Sequence, residues 1–355
     1  MDAKTELQKY KKILDLKLKE YFAVKIGEAK KISPLAVQAV RNIEEMTLAG
    51  GKRVRAAFMY WGYKAAGGRE NAKMIEVSMS IELSHIFLLI HDDIIDRDEF
   101  RHGVSAVHKK YEGIARKFYR RVEPVHFGES MGMIVGDMAA AFGNEIIFNS
   151  KFSPKDIMRT LDKLQKIVSM TVVGEMSDIV LEAKGKATEK DVLEVHEQKT
   201  AKYTVEGPLH LGALLAGTDK KVLDALSAYA VPVGIAFQIQ DDILGVFGSE
   251  EKLGKPVCSD LREGKQTLLI VKALEKANNE QEKKLKAMIG NRDIKEEDVE
   301  EFRKIIRETG SLRYSQNMAC DLIEKGKTEV LNSDISSKSK NFLVGVADYM
   351  VNREV

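Results

Sequence analysis

A disulfide framework is the first thing this sequence lacks. Its 355 residues include two cysteines, Cys258 and Cys320, far apart in the chain, which fits a reducing compartment. It also lacks a charge bias. Lys and Arg number 56 against 54 Asp and Glu, so nothing in the balance calls for a bulk polyanion, and a nucleic-acid partner is not expected. Long apolar runs are missing as well. The longest, Ala228 to Phe237, contains Pro232 and falls well short of the ~20 residues that span a bilayer, so no transmembrane segment is expected. The first residues, MDAKTELQKYKKILDLKLKEYF, are charged throughout and hold no signal-peptide core. The expectation is a cytoplasmic protein.

Proline is scarce, at six residues, and strand-like alternation is rare; apolar residues recur instead at helical spacing. Ser33-Pro34 pairs a cap with a proline at the first helical position and predicts a helix to Leu48, stopped by Gly50-Gly51. Further helices are predicted over 53–64, 71–96, 130–149, 154–182, 189–216 and 219–247, with Ser153-Pro154 and Thr188 with Asp191 marking two starts. Residues 103–129 read as a loop-rich connection and 248–265 as a polar, Gly-rich loop, with four or five more helices to follow. No low-complexity linker or fixed-period repeat divides the chain. It reads as one all-α domain over residues 1–355, a bundle of long helices.

Against that background, HDDIIDRDEFRHG (91–103) places acids at the end of the apolar run 86–90. On a helix, Asp92 and Asp96 lie one turn apart on nearly the same stripe as His85. Such carboxylates repel unless a cation intervenes, and hard oxygen ligands suit Mg²⁺, which takes few carboxylates and completes its shell with phosphates and water. Arg97 and Arg101 offer the alternative of a surface ion-pair cluster. A second acidic pair, Asp241-Asp242 in QIQDDILGVFG (238–248), again ends an apolar helix. Two such helices facing one another could suspend metal ions that grip a diphosphate. GGKRVRAA (50–57) supplies matching positive charge through Lys52, Arg53 and Arg55, behind glycines that let backbone approach an anion.

The ordered set GGKRVR, DDIID, RHG, KTAKY and QIQDD followed by GKPVCSD resembles the trans-isoprenyl diphosphate synthases, most closely the archaeal-type short-chain geranylgeranyl diphosphate synthases. The resemblance runs from about Gly50 to Lys265. It implies an all-α isoprenoid synthase fold and condensation of isopentenyl diphosphate with an allylic diphosphate (dimethylallyl, geranyl or farnesyl). Asp92, Asp96 and Asp241 would bind Mg²⁺, about three ions in all, with Asp242 beside them. Lys199, Lys255 and Arg101 would contact the allylic diphosphate. Lys52 and Arg55 would hold isopentenyl diphosphate, with His85 nearby. Phe237 and Gln238 would line the reacting chain, and Thr200 would stabilise the allylic cation. Phe87, five residues before Asp92, would close the floor of the chain tunnel and limit growth at geranylgeranyl diphosphate, although a helical wheel puts Leu88 and Ser84 nearer the Asp92 stripe. A homodimer is the family's usual assembly.

The sequence departs from the pattern at four places. Gly245 stands where a third aspartate is usual, His102 where a second arginine is usual, Glu175 for a glutamine and Ala56 for a proline. Other readings stay open: a farnesyl or mixed-product synthase, a terpene cyclase of the same fold, or a non-catalytic subunit of a heteromeric synthase. Glu82-x-x-His85 and Glu123-x-x-His126 also have di-iron spacing, with Pro124 against the second. His108, His196 and His210 carry no pairing in sequence that lifts them above packing or surface roles.

Overall fold

Caps fix where the helices begin. The structure, a computed structural model, describes residues 2–69, 72–248 and 257–351. Asp2 accepts from the Lys4 and Thr5 amides to start α1 (Ala3–Ala29). Ser33 accepts from Ala36 N, and Pro34 opens α2 (Pro34–Leu48). The charged surface of α1 conceals an inward stripe of Leu7, Tyr10, Leu14, Leu18 and Phe22, all buried, spaced at three and four residues. α3 (Val54–Ala65) and α4 (Ala72–Ile95) follow. β1 (Phe100–Arg101) and β2 (Val104–Ser105) then pair antiparallel in a short hairpin that returns the chain over the end of α4.

The segment 103–129 is more ordered than expected. It contains the hairpin's second strand, all of α5 (Val107–Phe118), and the start of α6 (Pro124–Phe148), which Glu123 caps by accepting from the Val125 and His126 amides. α7 (Pro154–Lys184) begins at the Ser153 cap and ends at Gly185 in left-handed geometry. The stretch expected as one helix over 189–216 is three pieces: α8 (Glu189–Val195), a π-helical segment (His196–Glu206), and α9 (Gly207–Leu215). The Gly207 amide reaches back five residues to the Lys202 carbonyl, and Pro208 has no amide to restore α-helical bonding. α10 (Lys220–Phe247) carries Pro232 inside it. α11 (Ser259–Glu263), α12 (Leu268–Lys276), α13 (Asn279–Met288), α14 (Glu296–Glu308), α15 (Ser311–Asn332) and α16 (Ser337–Val351) complete the described chain.

These helices bundle into one all-α architecture. α4 packs chiefly on α6, α10 on the π-helical segment and α15, and α3 on α9. The π-helical segment is gripped from both sides through glycines. A Cβ on Gly174 of α7 would meet Lys199 N at 2.6 Å, and one on Gly234 of α10 would meet Ala201 Cα at 2.5 Å. Close approach there is what brings Lys199 against α7 and Thr200 against α10.

By length and composition alone, three helices (α4, α6 and α10) could cross a membrane, contrary to the expectation from apolar runs. That expectation counted uninterrupted apolar residues. Each helix instead spreads its apolar surface around scattered small and polar residues, as helices inside a bundle do.

Candidate active site

α4 and α10 each deliver a pair of aspartates to the same end of the bundle. At the end of α4, Asp93 is fully buried while Asp92 and Asp96 are half-buried. Arg101, carried back by the hairpin, donates Nε to Asp93 Oδ1 at 2.7 Å and Nη2 to Asp98 at 3.0 Å, and lies 3.4 Å from Asp92 Oδ2. Burial pushes the Asp93 carboxyl up to about 7 despite the pull of Arg101. Asp96 accepts from Lys265 Nζ at 3.0 Å. Burial opposes the charge on Lys265, but Asp96, Asp260 and Glu263 outweigh it and hold the ammonium well above the ordinary lysine range.

On the facing wall, side chains of the π-helical segment meet those of α10. Thr200 Oγ1 donates to Gln238 Oε1 at 2.7 Å, and Gln238 Nε2 donates to Asp242 Oδ1 at 2.8 Å. His196 Nε2 lies 3.3 Å from the other Asp242 oxygen, with both side chains buried. Asp241 faces the cavity beside them. Lys199 Nζ sits 2.6 Å from Glu175 and 2.9 Å from Asp178, both on α7; burial works against its charge, and Asp178, Asp92 and Glu175 outweigh it.

A separate basic group builds another part of the wall. Arg55 Nη1 donates to His85 Nε2 at 3.1 Å and its Nη2 to Thr204 Oγ1 at 2.8 Å, while its guanidinium lies 5.0 Å from the Tyr203 ring centroid. His85 accepts through Nε2, which leaves its proton on Nδ1. Burial and then Arg55 keep the ring neutral, well below its ordinary pKa. Lys52 is exposed at the rim, its Nζ 5.6 Å from the Tyr349 ring centroid. His102 adopts left-handed backbone (φ 52°) and lays its ring against Gly50, where an added Cβ would meet it at 2.8 Å. Burial, Arg101 and Arg53 lower the His102 pKa, so it offers hydrogen bonds and little charge.

One cavity of about 980 Å³ joins these groups. Its wall includes Lys52, Arg55 and His85 at one end, Arg101 and His102 at the mouth, and Lys199, Thr200, Phe237, Gln238, Asp241 and Asp242 opposite. Asp92 and Asp96 meet it through Arg101 and Lys265, which are part of the wall. Lys255 lies outside the described residues. Phe87 is not in the wall: α4 contributes Glu82, His85, Ile86 and Leu89, while Phe87 sits half-buried with its ring 4.9 Å from His91, which bonds the Met133 carbonyl of α6. Among the described residues, no three His, Cys, Asp or Glu side chains form a ready-made metal cage. Oxygen donors supplied sparsely from two walls fit Mg²⁺, which relies on substrate phosphates and water for the rest of its shell.

A polyprenyl synthetase family profile matches residues 37–306. The chain belongs to the polyprenyl synthetase family. The geranylgeranyl diphosphate synthase of Methanosarcina mazei is 35% identical over 306 residues, covering 86% of this chain and 87% of that one. The geranylfarnesyl diphosphate synthase of Aeropyrum pernix is 32% identical over 311 residues, covering 86% and 91%. The crystal structure of geranylgeranyl pyrophosphate synthase from Corynebacterium glutamicum, complexed with isoprenyl diphosphate and magnesium, superposes with a TM-score of 0.92 at 31% identity, covering 98% of this chain and 99% of that one.

For this polyprenyl synthetase, the structure also explains residues whose roles the sequence did not disclose. Arg53 does not stand with Lys52 and Arg55 as a third exposed base. It is buried in left-handed backbone (φ 55°), donating Nε to Asp15 at 2.8 Å and Nη2 to the Thr47 carbonyl at 2.5 Å, with Nη1 3.3 Å from Glu82. Glu82 also accepts from Ala56 N at 3.1 Å, so the turn that aims Lys52 and Arg55 hangs on this buried pair. Glu82 is thereby spent, and Glu123 is an exposed helix cap, which removes the di-iron reading. A side chain at Gly245 would begin 3.4 Å from Asp260 Oδ2, so a carboxylate there would crowd the one Asp260 already supplies. Lys265 and His196 were missed. Lys265 sat in a stretch read only as polar loop, and His196 needs the π-helical turn to meet Asp242. His210 is likewise buried, bonded to the Leu223 carbonyl and Ser227.

Proposed function

We propose that the enzyme joins isopentenyl diphosphate head-to-tail to an allylic diphosphate and releases mainly geranylgeranyl diphosphate. One observation carries this reading. A single cavity is lined by two groups of bases, Lys52, Arg55 and His102 in one, and Arg101, Lys199 and Lys265 in the other beside Asp241 and Asp242, with Asp92 and Asp96 paired to Arg101 and Lys265. This supports two anion stations, one at each group. A terpene cyclase needs only the second station, and a degenerate subunit would have no need to keep both.

Asp92, Asp96 and Asp241 are the residues that would hold Mg²⁺, which when bound draws charge onto the leaving diphosphate. Arg101, Lys199 and Lys265 stabilise that same departing charge in a site shielded from water. Lys255 is assigned to this group from the resemblance alone. The Thr200 hydroxyl proton is committed to Gln238, so its oxygen lone pairs remain for the allylic cation. Ile86, Leu89 and Phe237 wall the reacting chain from water. The double bond of isopentenyl diphosphate, held by Lys52 and Arg55, attacks the cation. The proton then leaves to the released diphosphate, and no side-chain nucleophile is needed.

Phe87 packs on the α6 side of α4, outside the cavity wall, so its place at the chain-length floor rests on the resemblance. Phe87→Ala should lengthen the products, and an unchanged distribution removes Phe87 from that role. A homodimer is supported by the exposed apolar residues Met133 and Ile134 on α6 and Met170, Val173 and Met176 on α7. The reading includes a cytoplasmic location, in keeping with two free cysteines. Initial-rate kinetics test the two-station assignment. Arg55→Ala should raise the KM for isopentenyl diphosphate at least about tenfold, a loss of ~1.4 kcal/mol, with the allylic KM little changed. Equal effects on both KM values would remove the distinction between stations.

A further inference from the structure

The tip joining α5 to α6 gathers exposed bases and large exposed apolar side chains. Arg116, Lys117, Phe118, Tyr119, Arg120, Arg121 and Val122 are all exposed, Phe118 to 64%, Tyr119 to 49% and Val122 to 41%. Four bases and three large apolar side chains thus occupy one short turn. Arg116 is tied to Glu112 at 2.6 Å, but Arg120 and Arg121 have no carboxylate within ion-pair distance among the described residues. The acid beside them, Glu123, is occupied with the amides of its own helix. Tyr119 is anchored edge-on to Phe127 with ring centroids 5.4 Å apart, and Lys117 Nζ lies over the exposed Phe118 ring, 5.1 Å from its centroid.

Helix packing fixes where this tip lies. α6 runs antiparallel to α4: Gly143 abuts Ser80, Gly136 abuts His91, and Gly132 abuts Ile94 and His108. Pro124 therefore lies ~12 Å beyond the end of α4 that carries Asp92 and Asp96, at 1.5 Å per residue. The tip projects from the same end of the molecule as the diphosphate station.

We propose that this tip docks the enzyme on an anionic lipid bilayer. Interfacial binding needs apolar side chains to enter the headgroup region and bases to meet the negative surface, and both are here at one convex point. The chemistry separates it from the apolar face lower on α6, which carries no lysine or arginine and suits a second copy of the chain. Docked by the tip, the mouth lies close to the membrane into which an isoprenoid tail partitions. That benefit rests on the proposed product, whereas the docking does not.

Co-sedimentation without substrates tests it, using vesicles of phosphatidylcholine alone or mixed with phosphatidylglycerol. The wild-type protein should pellet with the anionic vesicles, release as salt is raised, and stay in solution with the neutral ones. Arg120→Ser with Arg121→Ser should weaken binding about fivefold per arginine, about 25-fold together. Phe118→Ser, which spares the Tyr119 contact, should weaken it about tenfold. Both variants should keep wild-type turnover on dissolved substrates and wild-type mass by light scattering. Equal binding to both vesicles, no binding, or variants that bind like wild type would overturn the proposal. A change in mass or turnover would overturn it too, assigning the tip to a protein contact or to the catalytic unit.

Discussion

Replacing Arg53 with methionine removes a cation that three partners hold at the turn between α2 and α3. Its side chain is 4% exposed and Glu82 is 5% exposed, while Asp15 is 25% exposed. The methionine keeps most of the volume but leaves Glu82 as a buried charge that still accepts from the Ala56 amide. Breaking a buried pair from one side costs about 3–5 kcal/mol, mostly the penalty of the orphaned charge. Glu82→Gln should cost less, about 1–2 kcal/mol, because the amide oxygen can still accept from Ala56 and Arg53 keeps Asp15. In the double variant no charge is orphaned, so the two effects should fall short of their sum by about 2 kcal/mol. Urea unfolding of the four proteins at one protein concentration measures this, provided the slopes agree. The same turn aims Lys52 and Arg55, so Arg53→Met should also raise the KM for isopentenyl diphosphate more than the allylic KM. A stability loss below about 1 kcal/mol, or strict additivity, would refute the claim that this pair holds the turn.

Three further outcomes follow from the geometry. His196→Ala should raise the Mg²⁺ concentration needed for half-maximal rate, because Asp242 loses its partner across the π-helical segment, while the KM for isopentenyl diphosphate stays put; an unchanged Mg²⁺ requirement would contradict this. Burial, followed by the nearby Lys163 charge, pushes the His210 pKa down to about 4. The unfolded chain then takes up a proton near pH 6.5 that the folded one refuses, so stability should fall as pH drops below about 6.5. His210→Gln should flatten that slope in urea unfolding across the pH range, and an unaltered slope would locate the titration elsewhere. Chelating divalent metal should abolish turnover yet leave the helical circular dichroism intact, because Arg101 and Lys265 already neutralise Asp92, Asp93 and Asp96 within the protein; unfolding on chelation would contradict this.

Much of this architecture was legible from local chemistry. Ser33-Pro34, Ser153-Pro154 and the Thr188–Asp191 capping box each begin a helix where the sequence places it. The chain from 103 to 129 was not legible, because a caps-and-breakers reading sees Gly113 and Pro124 as interruptions. In the fold, Gly113 sits within α5 and Pro124 is the first residue of α6. The π-helical segment was hidden for a different reason: its extra residue per turn leaves no mark in apolar periodicity and becomes visible only when Lys199 faces α7 and Thr200 faces α10. In the site, residues with sequence-local signals, Asp241-Asp242 and GGKRVR, line one cavity, and Asp92 and Asp96 are paired to its wall residues Arg101 and Lys265. The buried role of Arg53, and the placement of Lys265 and His196, had no such signal. Their roles depend on partners distant in the chain, Asp15 and Glu82, Asp96, and Asp242.

The central claim is condensation at a two-station site. Purified protein supplied with Mg²⁺ and isotopically labelled isopentenyl diphosphate, together with dimethylallyl, geranyl or farnesyl diphosphate, tests it by mass spectrometry of the products. One labelled unit should enter per diphosphate released, and the distribution should end mainly at geranylgeranyl diphosphate. Diphosphate released without isopentenyl diphosphate, or none released from any primer, would contradict the account.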